Sequence, residues 1–294
     1  MQFVAQATRI EHVATCPGVD PLLCATTDIP EHWHDQKITW FRLDALLSAG
    51  LGNGWAVAAG LPFDVRSISV DYTQDGEPYV PPYDDIHHRE EVLFGPVDGS
   101  LWLKRTLMVG SVVLTPSVGS SIPIGHTEDD PFALTELGKK HQHMQFGTGT
   151  FDPLLSVDAV FRAGRFGALA SVSSRLPLYE AANGYRAPRV VAGSLGPTFA
   201  VTPKLYTWLL ADAAYEGEEL WHDEAYGGRA SVSASAGALY TLTPDVSAQL
   251  TARVPVWEAV HHTDEDARVS QPLSVAAGVS WSFGKKGADS GEGG

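Results

Sequence analysis

Between Val246 and Trp257 the chain reads Val-Ser-Ala-Gln-Leu-Thr-Ala-Arg-Val-Pro-Val-Trp. Parity splits it cleanly: Val246, Ala248, Leu250, Ala252, Val254 and Val256 on one side, Ser247, Gln249, Thr251, Arg253, Pro255 and Trp257 on the other. Successive side chains of an extended backbone point to opposite faces, so a period of two predicts a strand with one apolar and one polar face. The segment 273–283 repeats the pattern, with Leu273, Val275, Ala277, Val279, Trp281 and Phe283 against Ser274, Ala276, Gly278, Ser280 and Ser282. So does 229–240, where Ala230, Val232, Ala234, Ala236, Ala238 and Tyr240 oppose Arg229, Ser231, Ser233, Ser235 and Gly237. Working back towards the N-terminus, the same reading gives strands near 205–216, 188–200, 166–179, 151–162, 112–123, 99–107, 55–66 and 38–51.

The chemistry of the two faces separates the possible all-β folds. A soluble sandwich would turn its apolar face to a core and meet water with Lys and Glu. Here the polar face is Ser, Gly, Thr and Arg/Asp, and the apolar face ends in aromatics such as Tyr240, Trp281 and Phe283. That is the pattern of a transmembrane antiparallel β-barrel, wet inside and lipid-facing outside. The chain is 44% hydrophobic and 19% charged, which excludes general disorder, and it holds no apolar run long enough for a membrane-spanning helix.

Connections alternate between short and long. Tight turns fall at 52–54, 109–110, 163–165, 202–204 and 243–245; long polar loops fall at about 67–98, 124–150, 180–187, 217–228 and 258–271. Short turns on one rim and long loops on the other are the outer-membrane arrangement, with the short rim periplasmic. Strand 38–51 runs into a short turn, and the last strand follows a long loop, so both descend. Closing an even barrel then needs one rising strand before residue 38, for which 2–13 is the candidate, giving twelve. The expectation is a single barrel domain over 1–283 and a disordered tail over 284–294, embedded in outer-membrane lipid and lipopolysaccharide.

A net charge of -15, from 20 basic and 35 acidic residues, argues against a nucleic-acid partner, because phosphate neutralisation needs clustered Lys and Arg. Met1-Gln2-Phe3-Val4 lacks a basic segment followed by an apolar core, so no leader peptide is read at the start. Cys16 and Cys24, with Pro17, Gly18 and Pro21 between them, fit neither a redox CxxC nor a zinc knuckle. A small disulfide in the first long loop is the preferred reading, with two free thiols as the alternative.

Several stretches carry a family likeness: His87-His88-Arg89-Glu90-Glu91 followed by Gly95-Pro96-Val97-Asp98; Pro123-Ile124-Gly125; Phe146-Gly147-Thr148-Gly149-Thr150-Phe151-Asp152-Pro153; and the closing Gly278-Val279-Ser280-Trp281-Ser282-Phe283. On these the stretch 38–283 resembles the twelve-stranded outer-membrane transporters of the phenol-degradation (MetA-pathway) type. The resemblance implies a barrel and, more loosely, passage of a small hydrophobic or aromatic solute.

Parity directs Arg42, Asp44, Asp64, Arg66, Asp98, Lys104, Asp158, Arg162, Arg175, Asp212, Arg229 and Arg253 into the lumen. Charges removed from water must pair, so they read as a cross-barrel salt-bridge network, or alternatively as a selectivity ladder along a conduit. Of eleven His residues, His12 falls at the end of the first strand and the rest in long loops. His32-Trp33-His34 and His141-Gln142-His143 each set two imidazoles on one face of an extended segment, and His88 lies in a neighbouring loop. His32, His34, His88, His141 and His143 are therefore candidate ligands for a divalent zinc, copper or nickel ion at the long-loop rim. The competing reading has them bonded to backbone carbonyls in a folded cap. Acidic loops such as Glu216, Glu218, Glu219, Asp223 and Glu224 would gather cations at a pore mouth, or bridge through divalent ions to lipopolysaccharide phosphates. No His-x-Ser pair, Gly-x-Ser-x-Gly or His-Glu-x-x-His occurs, so catalysis is not expected. The functional expectation is a channel, with a metal-binding surface module anchored by a barrel as the alternative.

Overall fold

A computed structural model describes residues 1–14, 29–83, 90–141, 144–261 and 268–284. Twelve wall strands form one closed antiparallel barrel. They are β1 (Gln2–Ala14), β2 (His32–Gly52), β3 (Trp55–Gln74), β4 (three consecutive pieces, Glu91–Pro96, Gly99–Arg105 and Leu107–Val109), β5 (Val112–Ile122) and β6 (Pro153–Ala163), then β7 (Phe166–Arg175), β8 (Val190–Thr202), β9 (Leu205–Glu216), β10 (Arg229–Thr243), β11 (Val246–Val260) and β12 (Ser274–Trp281). Each pairs with the next, and β1 closes the ring by pairing on both sides: Gln2 stands opposite Asp44 of β2 and opposite Gly278 of β12.

The apolar parity is the outer surface. Phe41, Leu43 and Leu47 of β2, Leu195 of β8, Leu209 of β9 and Val254 of β11 are all exposed, as lipid-facing side chains of a protein without its membrane must be. Trp55, Phe166, Tyr240 and Trp281 stand beside the short turns and form an aromatic girdle at that rim. The turn Gly52-Asn53-Gly54 holds all three residues at positive φ, 89°, 51° and 79°, a conformation that two glycines and an asparagine adopt at low steric cost.

Three features depart from the sequence reading. First, β2 and β3 are 21 and 20 residues long, extending well into the segments read as loops, and His32 and His34 lie on β2. Second, Trp257 is outward-facing and half-exposed, not on the polar face: the register shifts between Val232 and Ser233, so Trp257 pairs with Val232 and Pro255 with Ser233. This bulge at Val256 inverts parity beyond it. Third, the long-loop rim carries a small folded cap. It comprises a six-residue helix α1 (Pro131–Glu136), whose first turn Asp130 caps through the Phe132 N–H at 2.9 Å, and a three-stranded sheet of Tyr185–Arg186, Glu219–Trp221 and Glu224–Tyr226. Tyr185, Ala187 and Trp221 are its buried core, against which Phe132 and Tyr226 pack.

Candidate functional site

The inner wall is built from the polar parity, and its register brings charged residues together in three places. On β2 and β3, Arg42 lies opposite Asp64 and Trp40 opposite Arg66. Arg42 grips Asp64 with two bonds, Nε to Oδ1 at 2.7 Å and Nη2 to Oδ2 at 3.0 Å, while Arg66 donates to Oδ2 of the same carboxylate at 2.9 Å. Asp64 is fully buried, so two guanidiniums share one buried carboxylate. Such a planar, bidentate clasp is the geometry for which arginine rather than lysine is suited. On β9 and β11, Arg253 approaches Asp212 at 3.5 Å, and Ser194 donates to the other carboxylate oxygen. On β9 and β10, Arg229 reaches Glu216 at 3.3 Å. Arg162 lies over the Tyr206 ring at 5.2 Å. Lys104, Asp158 and Arg175 face inward and form no ion pair among the described residues.

The lumen is narrowed by the segment between β5 and β6, which folds inward and is tied at several points. Asp98, in the break between the first two pieces of β4, accepts from the N–H of Gly125 at 3.1 Å and from the N–H and hydroxyl of Thr148 at 2.7 and 2.8 Å. Gly125 and Gly147 touch so closely that a Cβ on Gly147 would sit 2.6 Å from both Asp98 Oδ1 and Gly125 O. Thr150 bonds Asp152 at 2.6 Å, and the Asp152 N–H donates to Ser121 Oγ at 2.7 Å. The Gly-Thr-Gly-Thr-Phe-Asp-Pro stretch is therefore an anchor that presses Phe146 into the barrel. There the Arg66 guanidinium is sandwiched, 4.2 Å from the Phe146 ring and 4.4 Å from the Trp40 ring, with Nη1 donating to Gln145 O at 3.0 Å.

Above and below this sandwich the lumen opens. A cavity of about 660 Å³ lies between the sandwich and the cap, walled by Trp40, Arg42, Arg66, Arg175, Tyr185 and Glu219 among others. Another of about 740 Å³, whose walls include Gln2, Asp44, Ser48, Ser100 and Ser280, sits towards the short turns, and a third of about 510 Å³ runs beside Ser194, Asp212, Gln249 and Arg253. Neighbouring cavities share walls: Pro62, Asp98 and Ser100 border the first two, and Gln2 and Gln249 the last two. Glu219 projects towards the upper cavity from the cap and accepts from Tyr185 Oη at 3.2 Å; burial pushes its carboxyl pKa up to about 7.

The histidines divide. His32 and His34 are 1% exposed on the inner face of β2, with His12 of β1 beside His34 at a ring separation of 5.0 Å. His141 is buried with Nδ1 2.8 Å from Lys139 O. His88, His143, Cys16 and Cys24 lie outside the described residues, as does the tail beyond 284. Among the described residues no three His, Cys, Asp or Glu side chains converge as a metal site. The sequence reading missed two participants: Glu216, taken as a loop acid, and Phe146, taken only as part of a family motif.

The barrel is shared. The COG4313 outer membrane channel from Pseudomonas putida F1 superposes with a TM-score of 0.54 at 13% identity, over 95% of this chain and 93% of that one. The NanC porin and the CymD monoaromatic hydrocarbon channel give lower TM-scores, 0.42 and 0.40, each at 9% identity. No family model matches the sequence, and no curated protein matches it. The fold is that of an outer-membrane barrel, and its exposed apolar belt places the chain in the outer membrane.

Proposed function

We propose that this barrel is a conduit rather than an enzyme, and that it passes small aromatic solutes carrying a polar or anionic group. The observation that carries this reading is the lining of the upper cavity and its floor. Trp40, Phe146 and Tyr185 offer ring faces, while Arg42, Arg66 and Arg175 supply three guanidiniums against the two carboxylates of Asp64 and Asp98. Glu216 is paired with Arg229, and Glu219, its carboxyl pushed up to about 7, is only partly ionised at neutral pH, so a positive surplus remains. A ring slides along aromatic faces at small cost, and an anionic group finds positive charge where Trp40 and Phe146 close on Arg66. The shared fold with a protein that is itself an outer membrane channel supports the same reading.

Conductance across planar bilayers tests it. Purified protein should give discrete openings, with a reversal potential under a salt gradient that reports anion preference. Benzoate should block those openings more strongly than acetate, and Arg175→Ala should weaken both effects. Cation preference, or bilayers that stay silent with folded protein, would sink the proposal.

A further inference from the structure

Where β1, β2 and β3 rise above the lipid-facing belt, their inner faces enclose a group of rings that the conduit does not use. His32 and His34 occupy successive inward positions of β2, and both are buried. Tyr79 and Tyr72 pack on them, at ring separations of 4.8 Å from His32 and 4.9 Å from His34. Tyr83 reaches in from the segment after β3.

The hydrogen bonding of His32 is over-subscribed. Its Nδ1 is 2.8 Å from the carbonyl oxygen of Pro30, which can only accept, so the Nδ1 proton is fixed there. A neutral His32 then has one in-plane lone pair left, on Nε2. Two polar atoms contend for it: Tyr83 Oη at 2.7 Å and His34 Nε2 at 3.0 Å. If the tyrosine proton takes the lone pair, the His34 nitrogen faces one already occupied. If His32 is protonated instead, one N–H confronts two partners and a charge is added to a buried site.

A metal ion resolves the conflict at His32 Nε2, because the Tyr83 oxygen and the His34 nitrogen, each within 3.0 Å of it, can then turn lone pairs to a cation instead of competing for that one. We propose that His32 Nε2, His34 Nε2 and Tyr83 Oη form a binding site for a borderline transition-metal dication of the zinc and copper class. Metal–nitrogen bonds of about 2.0–2.1 Å in a tetrahedral site put two ligand nitrogens about 3.3 Å apart, so the pair has only to widen by a few tenths of an ångström. The Nδ1–H bond to a backbone carbonyl is the outer contact by which a ligating imidazole is held in the correct tautomer. The Tyr83 phenol gives up its proton to solvent as the dication binds, so two neutral imidazoles and a phenolate leave one unit of positive charge and a fourth position for water or a solute group. Imidazole with phenolate oxygen suits Zn²⁺ and Cu²⁺ better than the hard cations Mg²⁺ and Ca²⁺.

The test uses the full chain folded in detergent, stripped with chelator, and titrated calorimetrically with zinc chloride and with copper(II) chloride. Saturable binding of one ion per barrel, with Kd on the order of 10 μM or tighter, is expected. His32→Ala and His34→Ala should each weaken it by roughly tenfold or more. The control His126→Ala, at an exposed loop position, should leave it unchanged. Tyr83→Phe keeps the ring and removes only the ligand oxygen; it decides the matter if an alanine variant fails to fold. In that variant copper binding should weaken and the visible phenolate-to-copper absorption of the wild type should vanish. Folded protein that binds neither metal saturably overturns the proposal, and so does binding indifferent to both the histidine and the tyrosine substitutions.

Discussion

Asp64 is the residue on which the inner wall most depends, because its carboxylate is shared by Arg42 and Arg66 with no exposure to solvent. Asp64→Ala strands two guanidiniums on the inner wall beside the inward segment, and breaking a buried pair this way costs about 3–5 kcal/mol. The expected outcome is a large drop in the urea midpoint of unfolding in detergent micelles. Arg253→Ala should behave differently. Its pair with Asp212 is long at 3.5 Å, its side chain is half-exposed, and Asp212 keeps the Ser194 bond, so a loss of about 1 kcal/mol or less is expected in the same assay. Glu219 supplies the pH dependence. With its folded pKa raised to about 7, the cap holds a proton that the unfolded segment releases at the ordinary carboxylate value. The cap is therefore firmest below that ordinary value and weakens as pH rises through 7. Protection factors of 219–226, corrected for the intrinsic pH dependence of amide exchange, should be larger at pH 5.5 than at pH 8, and Glu219→Gln should flatten the difference.

At the scale of elements, the inward segment between β5 and β6 is held by close backbone approach. Gly147→Val would drive a side chain into Asp98 and Gly125, and Phe146 would lose its seat beside Arg66. A larger single-channel conductance with an unchanged barrel unfolding midpoint is the expected result; unchanged conductance would show that this segment does not set the bore. Strand number and closure could be read from the sequence because the lipid belt forces one face of each strand to be apolar. The same physics hid the upper halves of β2 and β3. Above the belt the outer face no longer meets lipid and carries Asp35, Lys37, Ser69 and Asp71, so the alternation of hydrophobicity disappears while the strand continues. His32 and His34 were misplaced in a loop for that reason. Trp257 was misplaced because a single bulge leaves no mark in composition. Parity put Arg42, Asp64 and Arg66 on one face, but which carboxylate serves which guanidinium depends on inter-strand register. The Gly125–Gly147 contact joins residues distant in sequence, with no local signal at all.

For the molecule as a whole, closure without a free edge predicts resistance to unfolding by detergent: unheated protein in dodecyl sulfate should run ahead of the boiled form on a gel, and both should be recovered from the outer-membrane fraction. The wall itself is uneven in height. A tilted strand crosses the hydrocarbon in about 9–11 residues. β12 has 8 residues and β7 has 10, whereas β2 and β3 have 21 and 20. The hairpin continuing from β3 turns at Asp75-Gly76, both at positive φ, and comes back through Glu77–Pro78. One flank thus stands like a mast over an otherwise low deck. With the short turns on the periplasmic side, this tip stands, among the described residues, well outside the hydrocarbon on the cell's outer face. A peptide tag inserted between Asp75 and Gly76 should be stained by antibody on intact cells, while the same tag between Asn53 and Gly54 should be stained only after the cells are broken. The mast is then surface that a bacteriophage tail fibre or an antibody can reach on the intact cell.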